Sequence, residues 1–465
     1  MTAADNQAAV VERLASSTGG SLSHERLSEL HTEFMAHPTA SLMRNAVTQV
    51  SVMDIAQNRD IITSTPHTFS HKLDDWKVTN QRASGRCWLF AGLNLLRVGA
   101  MQAMNIKEFE FSQTYLHFWD KFERANYFLE AIIATAERDI DDRTVAFLLD
   151  KPLEDGGQWN MFVNLVKKHG LVPQSAMPES ESSSNTRYMN AIVISKLRDF
   201  AQQLRDAVAS GKSEDEVRKL KDGFVSVVYR MLCIHLGTPP QGFDWEWRDK
   251  DNKFHRDGRL TPQQFADKYV SINLDDYVSI VHDPRESSPQ GRTYTVDMLG
   301  NVVGGDIVTY LNVDIELMKQ LTMKQITDGQ PVWMGCDVGK MMDRRRGVWD
   351  RELFGFERIY DTPFAQDKPG RLLHHQTLMT HAMLFTGVDV VDKDPRRWRV
   401  ENSWGSEGGE QGFYVMNDNW FDEYMFEIAV PKALLSAELQ QALEGEPTVL
   451  PAWDPMGALA GECMG

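Results

Sequence analysis

Apolar residues recur at helical spacing between about residues 24 and 58, and Ser23 precedes "HERLSELHTEFM" as a natural N-cap. A polar loop, "DWKVTNQRASGRCW", then feeds a different kind of segment. From Cys87 the apolar positions (Trp88, Leu89, Phe90, Leu93, Leu95, Leu96) run nearly all round the predicted helix. A helix without a polar face belongs in the centre of its domain. Helical patterning continues through "SQTYLHFWDKFERANYFLEAII", and "KPLEDGGQWNMF" interrupts it with a glycine pair. "SAMPESESSSNTR" reads as a surface boundary, after which the charged, helix-periodic run to "VVYRML" reads as a helical insertion.

The period changes from about residue 331. "PVWMGCDV", "HAMLFTGVDVV", "RRWRVENSWG" and "GFYVMN" are short, β-rich and punctuated by Gly, Pro and Asp. Helices first and strands later predict an α+β chain with a cleft between the two parts. The expected organisation is an N-terminal helical extension (1–70), a helical lobe (71–180), a mainly helical insertion (181–330), a β-rich lobe (331–450) and a C-terminal arm (451–465). No internal repeat is found.

Composition narrows the classes. Of 465 residues, 42% are hydrophobic and 25% charged, ordinary values for a globular enzyme. The net charge of −17 argues against nucleic acid as a partner, because phosphates are repelled. Arg344-Arg345-Arg346 and the arginines around Trp398 read as solvated or ion-paired surface. Cys87, Cys233, Cys336 and Cys463 form no C-x-x-C pair and no disulfide framework. The N-terminus lacks a basic, then apolar, signal pattern, and no apolar run is long enough to span a membrane. A reducing cytoplasm is the expected compartment.

The candidate chemistry comes from three separated pieces. His381 opens "HAMLFTGVDVV" and Asn402 closes "RRWRVEN", on either side of the turn-like Asp392-Lys393-Asp394-Pro395. Two strands folding back there bring His381 close to Asn402. A free thiol titrates near 8.5 and is a weak nucleophile at neutral pH, unless an imidazole and a helix N-terminus favour the thiolate. Cys87 stands at a helix start, and His381 supplies the imidazole, with Asn402 orienting it. Gln81, six residues upstream of Cys87, is placed to donate to an oxyanion together with the Cys87 N–H. Two other patterns fail. "GCDVGK" has glycines four apart and Met341 where a phosphate loop needs Ser or Thr. His374, His375 and His381 lack a partner set with zinc spacing, so neither metal nor cofactor is expected.

"DWKVTNQ…GRCW", "THAM" and "ENSWG" resemble the papain-type cysteine peptidases. "NQRASGRCWLFAGLN", "GCDVGK" and "PAWDPMGALA" resemble the bleomycin hydrolase and aminopeptidase C branch of that family, along nearly the whole chain. The resemblance implies a papain-like two-lobed fold, a helical lobe plus a β-rich lobe, with a large helical insertion and a C-terminal arm. It implies that Cys87 is the nucleophile, His381 the base and acid, Asn402 the orienter and Gln81 the oxyanion donor. Gly156 and Gly157 match the glycine pair whose backbone pairs with a substrate strand, where absent side chains permit close approach. Trp404 would shield the His–Asn bond.

The chain departs from secreted papain-like enzymes at Ser84, a disulfide cysteine there, and at Arg86, a small residue there. Cys87 and His381 are 294 apart, about twice the roughly 130–150 of secreted relatives, which fits an insertion. The implied activity is removal of N-terminal residues from peptides through an acyl-thioenzyme, in a homohexameric ring. A papain-like endopeptidase and a non-catalytic or nucleic-acid-binding ring scaffold are the alternatives. In the family the chain ends near "MGALA", with its carboxylate in the cleft. Here Gly461-Glu462-Cys463-Met464-Gly465 follow Ala460, so self-trimming near the bond after Ala460 is expected.

Overall fold

The computed structural model describes residue 14 and residues 20–73 and 76–461. Residues 462–465, which include Cys463 and most of the segment expected to be trimmed, lie outside the described residues. The chain divides into two compact units, Met1–Arg59 with Glu352–Ala365, and Asp60–Arg351 with Gln366–Gly465.

In the first unit the described residues form helices His24–Ala36, Ala40–Val47 and Val52–Ala56, joined by the later helix Phe356–Tyr360. Ser23 caps the first by accepting from the Arg26 N–H. The Asn58 N–H donates to the Leu353 carbonyl at 2.8 Å, stitching the two pieces of chain together. Residues 352–365, which pattern had placed in the β-rich stretch of chain, belong to this compact unit.

The second unit carries the site. Its helical part is built round Cys87–Met104, where thirteen residues are buried, as an all-round apolar sequence requires. Gly92 allows Phe162 of the helix Trp159–His169 to pack closely: a Cβ there would meet the Phe162 ring at 2.7 Å. The helix Gln113–Ala134 packs alongside and supports Arg187–Ala209 and Glu214–Leu236, the helical insertion.

Strands enter beyond Leu236, interspersed with the further helices Pro262–Tyr269 and Ile315–Thr327. Phe243–Arg248 and Phe254–Leu260 form an antiparallel hairpin. Tyr277–Val281, Arg292–Val296 and Tyr310–Asn312 then join the main sheet. Helices still outweigh strands across 181–330, and the strands are what its sequence pattern did not show. In Phe243–Arg248 exposure alternates residue by residue, a strand period that the charge of the segment obscured.

Among the described residues the main sheet has twelve strands. Val332–Cys336 and Asp394–Glu401 flank His381–Val391, both antiparallel to it. Asp392 and Lys393, both at positive φ (52° and 80°), make the two-residue turn between the central pair. The Cys87 helix packs directly on the strand His381–Val391, and the Trp333 indole donates to the Trp88 carbonyl at 3.2 Å. The nucleophile helix is thus buried against both the histidine strand and its neighbour Val332–Cys336.

Candidate active site

Cys87 is the first residue of its helix and is fully buried, with Arg86 at the cap position making no side-chain cap bond. The first N–H groups of the helix lack intrahelical acceptors and favour a negative charge at that end. The Cys87 Sγ accepts from the Ala382 N–H at 3.4 Å, which puts the thiol against the residue next to His381.

His381 is completely buried. Its Nε2 lies 2.9 Å from the Asn402 Oδ1, which also accepts the Ser403 N–H at 2.7 Å. An atom that takes a backbone N–H is an oxygen, so Nε2 carries the ring hydrogen. Nδ1 is then the bare nitrogen, and it has no protein hydrogen-bond partner. Burial pushes the imidazole down to about 4, with the Asn402 bond pulling the other way and the Arg344 charge adding to the fall. The ring is neutral at pH 7, the form a base needs. Trp404 covers it, with ring centroids 4.8 Å apart.

Gln81 is held by both ends of its amide. Oε1 accepts from the Ser403 Oγ at 2.7 Å, and Nε2 donates to the Ser84 carbonyl at 2.6 Å. One Nε2 hydrogen remains for another acceptor. The structure therefore brings Cys87, His381, Asn402, Gln81 and Trp404 into one site. His374 and His375 are exposed, and among the described residues no three His, Cys, Asp or Glu side chains gather as metal ligands.

The glycine pair is occupied. The Gly157 N–H donates to the Ala460 carbonyl at 3.1 Å, and the Ala460 N–H donates back to the Gly157 carbonyl at 3.3 Å. Ala460 is fully buried, and the Gly461 N–H donates to the Thr380 carbonyl at 3.0 Å, one residue before His381. Only glycines fit here: a Cβ on Gly461 would lie 2.3 Å from the Gly156 Cα, and one on Gly85 would lie 2.2 Å from the Gly461 carbonyl oxygen. The arm lies in the cleft through a single antiparallel bridge between Ala460 and Gly157.

Three supporting residues escaped the sequence reading. Asp155, just before the glycine pair, accepts from the Gly85 N–H (3.1 Å), from Asn190 (2.7 Å) and from Lys121 (2.6 Å), and so ties the nucleophile loop to its surroundings. Glu401, just before Asn402, is buried and takes Arg97 (2.6 Å) and Asn94 (3.0 Å) from the Cys87 helix. Arg285 makes two-toothed contacts with Asp283 and with Asp454 of the arm. Adjacency to the glycine pair and to Asn402 was the only signal for the first two; the third is set by tertiary folding alone.

Residues 21–457 match the model of the Peptidase C1-like family. Aminopeptidase C of Streptococcus thermophilus is 43% identical over 95% of this chain and 100% of its own length. Bleomycin hydrolase of Mus musculus is 42% identical over 94% of this chain and 99% of its own. The crystal structure of PepW from Lactobacillus rhamnosis superposes with a TM-score of 0.94 at 44% identity, covering 95% of this chain and all of that one. With a family match of that extent and relatives of that identity, the chain belongs to the Peptidase C1-like family and is a papain-like cysteine aminopeptidase.

Proposed function

We propose that Cys87, His381, Asn402 and Gln81 perform the hydrolysis and that the arm restricts it to free N-termini. The His381 Nδ1 takes the Cys87 thiol proton, and the thiolate attacks the carbonyl carbon of the first residue of the peptide. The second hydrogen of the Gln81 amide and the Cys87 N–H hold the resulting oxyanion. Collapse breaks the C–N bond, and the same proton passes from Nδ1 to the leaving amine. Water then attacks the thioester, again through His381, and releases the amino acid. Asn402 keeps Nε2 protonated so that Nδ1 faces the chemistry.

The observation that carries the exopeptidase reading is the pairing of Ala460 with Gly157. A substrate extending on that side would need the same backbone groups, so the arm leaves room for little before the scissile bond. A negative end on the arm would attract the substrate ammonium at a fixed depth. Gly461 lying between Gly85 and Gly156 supports trimming of the residues that follow. A tethered tail reaches its own cleft at high effective concentration. Intact mass of the wild type against Cys87→Ala tests trimming: loss of residues after 460 or 461 from the active form alone is expected, and retention of Gly465 in both contradicts it.

Peptides with free and N-acetylated termini test the exopeptidase reading. Cleavage of the free form alone is expected, and comparable cleavage of both gives the endopeptidase alternative. A cytoplasmic location and a homohexameric ring, implied by the family resemblance, belong to the same proposal; light scattering of the purified protein at six times 52.9 kDa tests the ring.

A further inference from the structure

Arg344 is exposed on the short turn between the strands Met342–Asp343 and Val348–Trp349, with its guanidinium carbon 4.5 Å from the centre of the Trp404 ring. Trp404 in turn lies against the catalytic imidazole. The turn is held in place. The Asp343 carboxylate accepts from the Arg346 backbone N–H (2.9 Å) and guanidinium (2.7 Å), and the Gly409 N–H donates to the Arg345 carbonyl at 3.2 Å. Glu410 on the facing loop is directed to His67, 3.8 Å away. Among the described residues Arg344 has no carboxylate within ion-pair distance. An aromatic face orients a guanidinium without using its N–H fork, and that fork matches a carboxylate.

The side of the cleft follows from the arm. Residues 460–461 lie on Gly157, Gly156, Gly85 and Thr380. The leaving amine must receive its proton from His381, so the outgoing peptide runs past the imidazole over the surface that Trp404 and Arg344 form. The two contacts in series place the guanidinium at most about 9 Å from the imidazole centre, the reach of two or three extended residues at roughly 3.3–3.6 Å each.

We propose that Arg344, seated on Trp404, is a carboxylate-binding subsite that selects peptides with an acidic residue at the first or second position after the scissile bond. This rests on the aminopeptidase reading and adds a preference on the leaving side of the same site. The Arg344 charge is also felt at His381, so a change in rate alone would not separate binding from an effect on the base. A ratio does.

The test uses the wild type, R344Q and R344K, with two peptide pairs blocked as C-terminal amides: Ala-Glu-Gly against Ala-Gln-Gly, and Ala-Gly-Glu against Ala-Gly-Gln. Release of alanine gives kcat/KM for each. Both members of a pair share the Cys87–His381 chemistry, so their ratio cancels any effect through the imidazole. The wild type is expected to favour the Glu member of at least one pair about fivefold at low ionic strength, with the preference shrinking as salt rises. R344Q should bring the ratio to about one, and R344K, which keeps the charge without the fork, should retain part of it. A wild-type ratio of one or below in both pairs overturns the proposal, as does a preference that survives in R344Q. Failure of the wild type to release alanine from any peptide overturns the aminopeptidase reading itself, a result distinct from equal cleavage within a pair.

Discussion

Asp454→Ala loosens the arm at one defined point. Asp454 gives both carboxylate oxygens to Arg285, at 3.1 and 2.8 Å, and caps the following turn by accepting the Met456 N–H at 2.9 Å. Both partners of the ion pair are less than a tenth exposed. Breaking a buried pair ordinarily costs about 3–5 kcal/mol because it strands a charge. Here Arg285 keeps its contacts to Asp283, so the loss falls nearer 2–3 kcal/mol, the scale of charge-assisted hydrogen bonds at about 1.5–3 kcal/mol each. Among the other described contacts of the arm are two bonds between Ala460 and Gly157, one from Gly461 to Thr380, one from the Tyr310 hydroxyl to the Met456 carbonyl, one from the Gln158 amide to the Ala458 carbonyl, and the Arg143 guanidinium over the Trp453 ring. A loss of that size raises the population with the arm out of the cleft about 30- to 150-fold at 1.4 kcal/mol per decade.

The readout is kcat/KM on an N-acetylated peptide divided by that on its free-amine counterpart. Asp454→Ala should raise the ratio by one to two orders of magnitude and speed amide hydrogen exchange at Ala460 and Gly461. The helical core should keep its melting temperature, since Arg285 stays paired. A truncation ending at Pro451 supplies the upper limit. If the truncated enzyme shows the rise and Asp454→Ala does not, Asp454 is not what seats the arm. If neither shows it, the arm is not the barrier to internal cleavage.

His381→Ala should cost about 10²–10⁴ in kcat, and Asn402→Ala less, because Asn402 only fixes the tautomer while His381 moves the proton; a folded Asn402→Ala enzyme that is the slower of the two would reverse the roles. Acid stability follows from buried histidines. Burial holds His282 and His381 down to about 4, so the folded chain refuses protons that the unfolded chain takes up below about 6.5. Their contribution is therefore whole above pH 6.5 and lost as pH falls toward 4, about 3 kcal/mol for each. Urea midpoints of Cys87→Ala across that window should fall, and His282→Gln should flatten the fall; a midpoint independent of pH would contradict it.

Much of the site could be read from local pattern. The all-round apolar helix and its polar approach located Cys87, and Asp392-Lys393 marked the turn that brings His381 to Asn402. The turn mattered more than strand register, which slips at Phe385/Gly387 and at Asp389/Val390 without separating the pair. What stayed hidden depends on distant parts of the chain. Tyr277–Val281 and Tyr310–Asn312 are short and buried, so they show no alternation to distinguish them from buried helix. The piece 352–365 joins the N-terminal unit through non-local bonds that no periodicity encodes. Family likeness put the end of the arm in the cleft, but its pairing with Gly157 was not legible, because neither Gly157 nor Ala460 carries a polar side chain.

The central claim is an activated Cys87 thiol, and the pH dependence of its alkylation tests it most directly. Cys336 provides the internal reference: it sits opposite His381 in the sheet, and burial pushes its thiol well up. Iodoacetamide, followed by peptide mapping, should modify Cys87 first, at a rate that stays high well below pH 8.5 and is lost in His381→Ala. Alkylation of Cys87 that instead titrates near 8.5, as a free thiol does, and is unchanged in His381→Ala would contradict the mechanism.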